Sequence, residues 1–508
     1  MQLRLALILS CALLTTASSA EDRPPNIVIF LVDDMGLMDT SVPFLTDREG
    51  KVERHPLNDF YRTPNMQRLA DQGVRFSRFY AMSVCSPTRT SILTGQTSAR
   101  HHTTQYIKPE SNNAGAFGAQ AWAWEGIAKG EATLPALFKK AGYRTIHCGK
   151  AHFGPVGAPA EDPTNLGFDI NIAGCAWGQP GSYYGTQNFG NGIPKRQNRA
   201  VPGLEKYHGQ DIYLTEALTL EMNAAISESV KAEKPFFAYM AHYAVHAPFE
   251  ADRRFVDHYP DSKKQLAAFA SMIEGMDKSL GDMLDHLEKL GVAENTLVLF
   301  LGDNGTDAPI GGAHAISCAA PLRGKKATHY EGGMRVPFIA AWAKPEAEHP
   351  AQRRTPIEAG AIRSQLGAVY DLLPTALATA GIDAPESATL DGIDLREFFA
   401  PRPGSSGERE REFLMHFPHQ HRSSYFTSFH QGSWKLIYHY RPGQKQPWDR
   451  MELFDLAVDP SEANNLAGKN PAKLEAMFGA MSAALERSGA QFPLADDKRS
   501  ALKPSLTE

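Results

Sequence analysis

Four short apolar runs, Ile27 to Val32, Tyr143 to Cys148, Pro235 to Met240 and Thr296 to Leu301, end abruptly in polar residues. Runs without strict apolar/polar alternation suit strands covered on both faces, as in a parallel sheet. Between them, Leu266, Phe269, Ile273, Met276, Leu280, Leu284 and Leu287 recur at spacings of three and four, and Gly291 closes the pattern. That spacing predicts an amphipathic helix with one face toward a core. Strands alternating with helices predict an α/β fold, a sandwich around a large mixed, mostly parallel sheet.

The pattern changes near Asp391. Pro401-Arg402-Pro403-Gly404-Ser405-Ser406-Gly407 reads as an exposed connection, Ser433 to Tyr440 alternates like a strand, and Pro471 to Leu485 is amphipathic. A catalytic domain over 21–390 and a smaller C-terminal α+β domain with an antiparallel sheet over 391–508 are expected. Two stretches, Ile107 to Gly130 and Phe153 to Gly209, have little periodicity, and long loops of this kind often wall binding sites.

The polar residues at the ends of the four runs are chemically rich: Asp33 and Asp34, Lys150 and His152, His242 and His246, and Asp303 and Asn304. Ligands of open parallel sheets bind at the carboxyl ends of strands, so four segments deliver reactive groups to one sheet edge. Asp33, Asp34, Asp303 and Asn304 offer only oxygen ligands, which suits calcium, or less well magnesium, better than zinc. Singly, Asp33-Asp34 also fits a helix cap and Asp303-Asn304-Gly305 a turn.

Cys85 opens Cys85-Ser86-Pro87-Thr88-Arg89, where Pro87 suits the first turn of a helix and Gly95 its end. A helix start stabilises an anion, and there the thiol fits either an inert buried residue or a thiolate nucleophile. Once a leader is removed, the remaining cysteines are Cys85, Cys148, Cys175 and Cys318, with no paired zinc spacing; Cys148 and Cys318 suit burial.

The 508 residues, 42% apolar and 21% charged, suit a globular chain, and a net charge of -5 argues against nucleic-acid binding. Met1 to Ala20 has the charged, apolar and small-residue regions of a signal peptide, which predicts a periplasmic or secreted protein without a membrane span. Acylation at Cys11 fits this leader poorly.

Cys-x-Pro-x-Arg, a short helix and Thr94-Gly95 together resemble the signature of the formylglycine-dependent type I sulfatases of the alkaline phosphatase superfamily. The resemblance continues in order through Asn26 to Gly36, Gly149-Lys150-Ala151-His152, His246-Ala247-Pro248, Leu301 to Gly305, Leu322 to Lys326, Glu331 to Pro337 and Glu452 to Leu456. It implies an alkaline-phosphatase-like fold and one calcium on Asp33, Asp34, Asp303, Asn304 and the modified Cys85. It also implies a maturation enzyme that oxidises Cys85 to formylglycine, whose hydrate attacks sulfur. By the same resemblance Arg89 and Lys150 hold the hydrate, Lys326 balances sulfate charge, His246 with Lys326 protonates the leaving alcohol, and His152 takes the second hydroxyl's proton.

The expected substrate is a sulfated carbohydrate, with Trp122, Trp177 and His208 as candidate contacts and Trp124, Tyr183 and Tyr184 as further loop aromatics. These rings equally suit packing of the loops onto the domain. His416, His419 and His421 are candidates for the pocket wall, His242 for a structural or lining role, and Lys325 for the solvent face. The rival readings are a phosphonate or phosphodiester hydrolase of the same superfamily and an inactive glycan-binding homologue.

Overall fold

The computed structural model describes residues 23–196, 199–400, 409–442 and 449–506, without the side chain of Cys318. The expected leader, with Cys11, and the expected connection at 401–407 lie outside the described residues.

Eight strands form the main sheet: β1 (Asn26–Val32), β2 (Val74–Phe76), β3 (Arg144–Gly149), β4 (Ile170–Ile172), β5 (Phe236–Ala241), β6 (Thr296–Gly302), β7 (Phe338–Trp342) and β8 (Ala361–Arg363). Their spatial order is β8-β2-β7-β6-β1-β5-β3-β4, and β7 alone runs against its neighbours β2 and β6. The four apolar runs thus become adjacent central strands, each boundary within one residue of the sequence reading.

All seven residues of β1 are buried because both faces of the sheet are covered. Val28, Phe30 and Val32 join one core cluster; Ile27, Ile29 and Leu31 join the other. This is the period of two expected of a strand. The first face is covered by α2 (Leu214–Lys231) and α3 (Lys264–Lys289), whose Ile273, Met276, Leu280, Leu284 and Leu287 are the predicted stripe. Each such side chain contributes roughly 1.5–3 kcal/mol on full burial. The second face is covered in part by α1 (Cys85–Thr94), through Ile92 and Leu93, and by Leu134, Phe138 and Leu372. The result is an α/β/α sandwich.

The C-terminal part forms a four-stranded antiparallel sheet: β9 (Glu412–Gln420), β10 (Ser424–Gln431), β11 (Trp434–His439) and β12 (Met451–Asp455). Phe413, Met415, Phe417 and Phe426 face the main core, while Leu414, Phe429, Leu436 and Leu453 pack with Met477, Met481 and Leu485 of α4 (Pro471–Arg487). A buried ionic cluster ties this sheet to the larger body: Glu331 accepts from Lys435 at 3.0 Å and His430 at 2.9 Å, and Lys435 reaches Glu462 at 2.7 Å. Among the described residues no helix is long and apolar enough to cross a membrane.

Candidate active site

The central strands deliver their polar tips to one edge, and backbone hydrogen bonds running past the strand ends lock those tips together. Asp303 N–H donates to Val32 O at 3.0 Å, His242 N–H to Leu31 O at 3.0 Å, Lys150 N–H to Ala241 O at 2.7 Å and Asp33 N–H to Ala244 O at 2.9 Å. Gly149 permits the turn into Lys150: its φ is +101°, and a Cβ there would lie 1.9 Å from Ala241 O. Asp34 and His152 adopt left-handed backbone, φ 59° and 56°, without being glycine. Such conformations cost roughly 1–3 kcal/mol each and persist where surrounding structure enforces them.

Asp33, Asp34, Asp303 and Asn304 are all fully buried. Lys150 Nζ donates to Asp33 at 2.6 Å, Lys326 Nζ lies 2.6 Å from Asp34, and Arg89 donates through Nε and Nη2 to Asp303 at 3.0 and 2.8 Å. Arg89 Nη1 also donates to Lys150 O at 2.6 Å, which joins α1 to the loop after β3. Asn304 Nδ2 donates to Asp34 at 2.9 Å, leaving its own Oδ1 pointed elsewhere. That Oδ1 and Asp33 Oδ1 are buried without a hydrogen-bond partner.

Orphaned buried oxygens of this kind cost about 1–3 kcal/mol apiece, and a hard divalent cation is the ligand that such an oxygen set satisfies. The donor set therefore fits calcium, which Asp33, Asp34, Asp303 and Asn304 would hold. Ligand atoms of Asp33, Asp34 and Cys85 lie within 4.8 Å of one another.

Cys85 is the first residue of α1, and all ten residues of that helix are buried. Thr88 Oγ1 accepts from Met82 N–H at 3.0 Å, Ser86 Oγ accepts from Ile107 N–H at 3.0 Å, and Gly95 ends the helix at φ 67°. Burial pushes the Cys85 thiol up to about 11, against the opposing pull of Lys150 and Lys326.

The other titratable groups are shifted by the same two influences. Burial and the neighbouring Asp303 push the Asp33 carboxyl well above its ordinary range. Burial has the same tendency at Asp34, but Lys326, His246 and Lys150 outweigh it and hold that group well below. His246 is pushed down to about 4 by burial and Lys326, and His152 well below its usual value by burial and Lys150. Lys326, despite burial, is held above the lysine range by Asp34.

Cys85 lines a cavity of about 420 Å³. Around it stand His152, His246 and Lys326, then Trp177, Tyr106, Lys108, Arg199, His421 and Arg422. A larger space of about 580 Å³, lined by Arg78, Tyr80 and Leu456, contains none of the strand-end groups, so chemistry assigns the site to the smaller cavity.

Of the three candidate substrate contacts, Trp177 lines the cavity, whereas Trp122 and His208 do not. Trp122 packs with Ile107 and Ala114 and donates Nε1–H to Asn112 at 2.9 Å, and His208 lies beside Phe189. Tyr183 and Tyr184 donate to Tyr243 O and Ala251 O, Trp124 Nε1–H to Lys108 O, and His242 is buried and hydrogen-bonds Ser279. Of the C-terminal histidines, His421 reaches the wall while His416 and His419 are buried in the fold. Lys325 is not on the solvent face: its Nζ donates to Ala308 O at 3.2 Å and lies 3.6 Å from Asp307.

Lys108, Arg199, Asp307 and Arg422 were not singled out by sequence. Lys108 and Arg199 fall within the two aperiodic stretches, and Arg422 adjoins His421, which were the available signals.

Carboxylates, cations and a helix-borne cysteine at the carboxyl edge of such a sheet define a hydrolase of anionic esters. The chain belongs to the sulfatase family, whose model matches residues 25–382, and it is a sulfate-ester hydrolase of the alkaline phosphatase superfamily. It is 32% identical over 411 residues to N-acetylgalactosamine-6-sulfatase of Mus musculus, covering 77% of this chain and 69% of that one. It is 27% identical to arylsulfatase A of Homo sapiens, covering 92% and 89% of the two chains. The crystal structure of Ps i-CgsB in complex with k-i-k-neocarrahexaose matches with a TM-score of 0.69 at 24% identity, over 91% of this chain and 93% of that one.

Proposed function

We propose that this sulfatase releases sulfate from a sulfated carbohydrate, with a formylglycine made from Cys85 as nucleophile and calcium held by Asp33, Asp34, Asp303 and Asn304. The observation that carries the reading is the convergence of Cys85, Asp33 and Asp34 within 4.8 Å of one another, with Cys85 lining a cation-walled cavity. The names of the relatives support the substrate class: one acts on N-acetylgalactosamine 6-sulfate, and the solved neighbour binds a carrahexaose.

When present, the hydrated formylglycine supplies a nucleophilic oxygen at residue 85, and calcium lowers that oxygen's proton affinity. The chain's own residues do the rest. Arg89 and Lys150 hold the carboxylates around residue 85 in place. Lys326 keeps its proton beside Asp34 and offers it as fixed positive charge to the sulfate oxygens. That leaves His246 as the proton donor to the departing alcohol. Its Nδ1 donates to Ala247 O at 2.8 Å, so Nε2, 3.6 Å from Asp34, is the nitrogen that takes up a proton and then delivers it to the alcohol. His152 Nε2 bonds Ile107 O at 2.6 Å, while its Nδ1 is buried without a hydrogen-bond partner and accepts the second proton.

Cys85, Pro87 and Arg89 are buried in the fold, so a maturation enzyme reading them must act before folding is complete. Export through the N-terminal leader belongs to the same proposal. The test is mass spectrometry of the Cys85 peptide from chain co-expressed with a formylglycine-generating enzyme, paired with sulfate release from defined sulfated sugars. Oxidised Cys85 with sulfate release supports the proposal; full activity with an unmodified thiol overturns it.

A further inference from the structure

Away from the catalytic cavity, three buried side chains converge between the loop after Lys326 and the small sheet. His329 belongs to that loop, His439 ends β11 and Glu452 lies in β12; their exposures are 0, 1 and 7%. His439 Nε2 is 2.8 Å and His329 Nε2 3.7 Å from the same oxygen, Glu452 Oε1. Ligand atoms of all three lie within 4.8 Å of one another. The two imidazoles are steeply inclined, 83° between planes with centroids 4.7 Å apart.

We propose that His329, His439 and Glu452 form a second metal site, which takes zinc or another borderline divalent transition ion and pins the Lys326–Tyr330 loop to the C-terminal sheet. Zinc bound by two imidazoles and a carboxylate at about 2.0–2.2 Å sets its ligands roughly 3.3–3.6 Å apart in a tetrahedron. From the observed separations, the His439–Glu452 edge opens by roughly half an ångström or a little more, the His329–Glu452 edge closes by a few tenths, and the edge between the two imidazoles closes by at most about 1.5 Å, within the reach of side-chain rotation. Two nitrogens with one oxygen select zinc over calcium, whereas the oxygen set of the catalytic site selects the reverse.

The neighbours suit a structural ion. Tyr330 Oη donates to Glu452 Oε2 at 3.2 Å, a contact that orients the carboxylate. His314, whose ring centroid is 5.8 Å from that of His329, is engaged with Ser423 Oγ through Nε2 at 3.1 Å, which leaves the three converging side chains as the ligand set. The loop is already tied to the small sheet at three points, since Ser423 N–H donates to Ala327 O at 3.0 Å, Arg422 to Lys326 O at 3.4 Å and Tyr330 Oη to Glu452. An ion at His329 adds a fourth tie, three residues from the catalytic Lys326.

The test uses the full mature chain without a polyhistidine tag, kept in excess calcium so that the catalytic oxygens are occupied. Zinc is added, unbound metal is removed by gel filtration, and zinc is counted by mass spectrometry alongside the thermal midpoint. The same is done for His329→Gln and His439→Gln, and cobalt is used as the spectroscopic probe. The expected result is one zinc per wild-type chain, a rise of several degrees in its midpoint, and a tetrahedral cobalt spectrum without a thiolate charge-transfer band. Both variants should lose the zinc, the shift and the spectrum while keeping the zinc-free midpoint and calcium-dependent turnover. Zinc absent from the wild type, or retained equally by both variants, overturns the proposal. Variants that fail to fold are replaced by Glu452→Gln, for which the same gain or loss of zinc decides.

Discussion

Arg89 places Nε and Nη2 on a single oxygen of Asp303, at 3.0 and 2.8 Å, with both side chains closed off from water. This pair joins the helix that carries Cys85 to the strand that carries half of the oxygen set. Removing one member of a buried ion pair leaves the other charge uncompensated, a loss of about 3–5 kcal/mol. Arg89→Ala should therefore lower the urea denaturation midpoint strongly and abolish turnover. Arg89→Lys should recover part of the stability and little activity, since an ammonium lacks the fork that also reaches Lys150 O.

Asp303→Asn should lose calcium and activity together. The oxygen set shrinks by one charge, and Arg89 loses its carboxylate partner. Isothermal titration with calcium should give a large heat for wild type and none for the variant at the same concentration. Calcium binding unchanged in the variant would remove Asp303 from the ligand set.

Lys326→Ala removes the cation that lies 2.6 Å from Asp34 and faces the cavity. Loss of a group that stabilises developing charge lowers kcat by about 10²–10³-fold. The substitution should act mainly on kcat, with calcium affinity raised or unchanged because a competing positive charge has gone. A pure rise in KM would assign Lys326 to substrate binding instead.

Acid should unfold the protein through histidines that have nothing to do with catalysis. His101, His147, His242 and His419 are pushed down to about 3, and His416 to about 4, each chiefly by burial. A folded value below the unfolded one, about 6.5, means that the folded state binds fewer protons. The stability these groups contribute is whole above about pH 6.5 and is lost as pH falls toward their folded values, at about 1 kcal/mol per group per pH unit. The urea midpoint should fall steeply between about pH 6.5 and 5. His242→Gln, which retains a partner for Ser279 Oγ now 2.9 Å from the ring, should make that fall shallower. A midpoint independent of pH in this window would contradict the assignment.

Much of the fold is written locally. β1 and β6 are legible because a strand covered on both faces is apolar throughout, and α3 because its stripe at three and four spacing meets one core cluster. The start of α1 at Cys85 is legible from Pro87 and Gly95, and the oxygen set from the polar residues just past β1 and β6. The features that sequence leaves unread depend on partners far along the chain. Arg422 is fixed by Asp307, and His329 meets ligands from β11 and β12; neither spacing repeats as a motif. Trp122 and His208 fall on the packing side of the two readings the sequence allows, since an aromatic ring in a glycine-rich loop packs that loop onto the body as readily as it lines a pocket. Lys325 and Lys326 are adjacent yet diverge, one to Asp307 and one to Asp34, a difference set by the loop's path.

The most direct test of the catalytic role of Cys85 is sulfate release, measured by ion chromatography, from a panel of sulfated mono- and oligosaccharides. Wild type and Cys85→Ala are compared after co-expression with a formylglycine-generating enzyme. Wild type should release sulfate from at least one sugar, and Cys85→Ala should release none while keeping the wild-type thermal midpoint and calcium binding. Equal release by Cys85→Ala, or faster turnover of an aryl phosphonate than of every sulfate ester by the wild type, would contradict it.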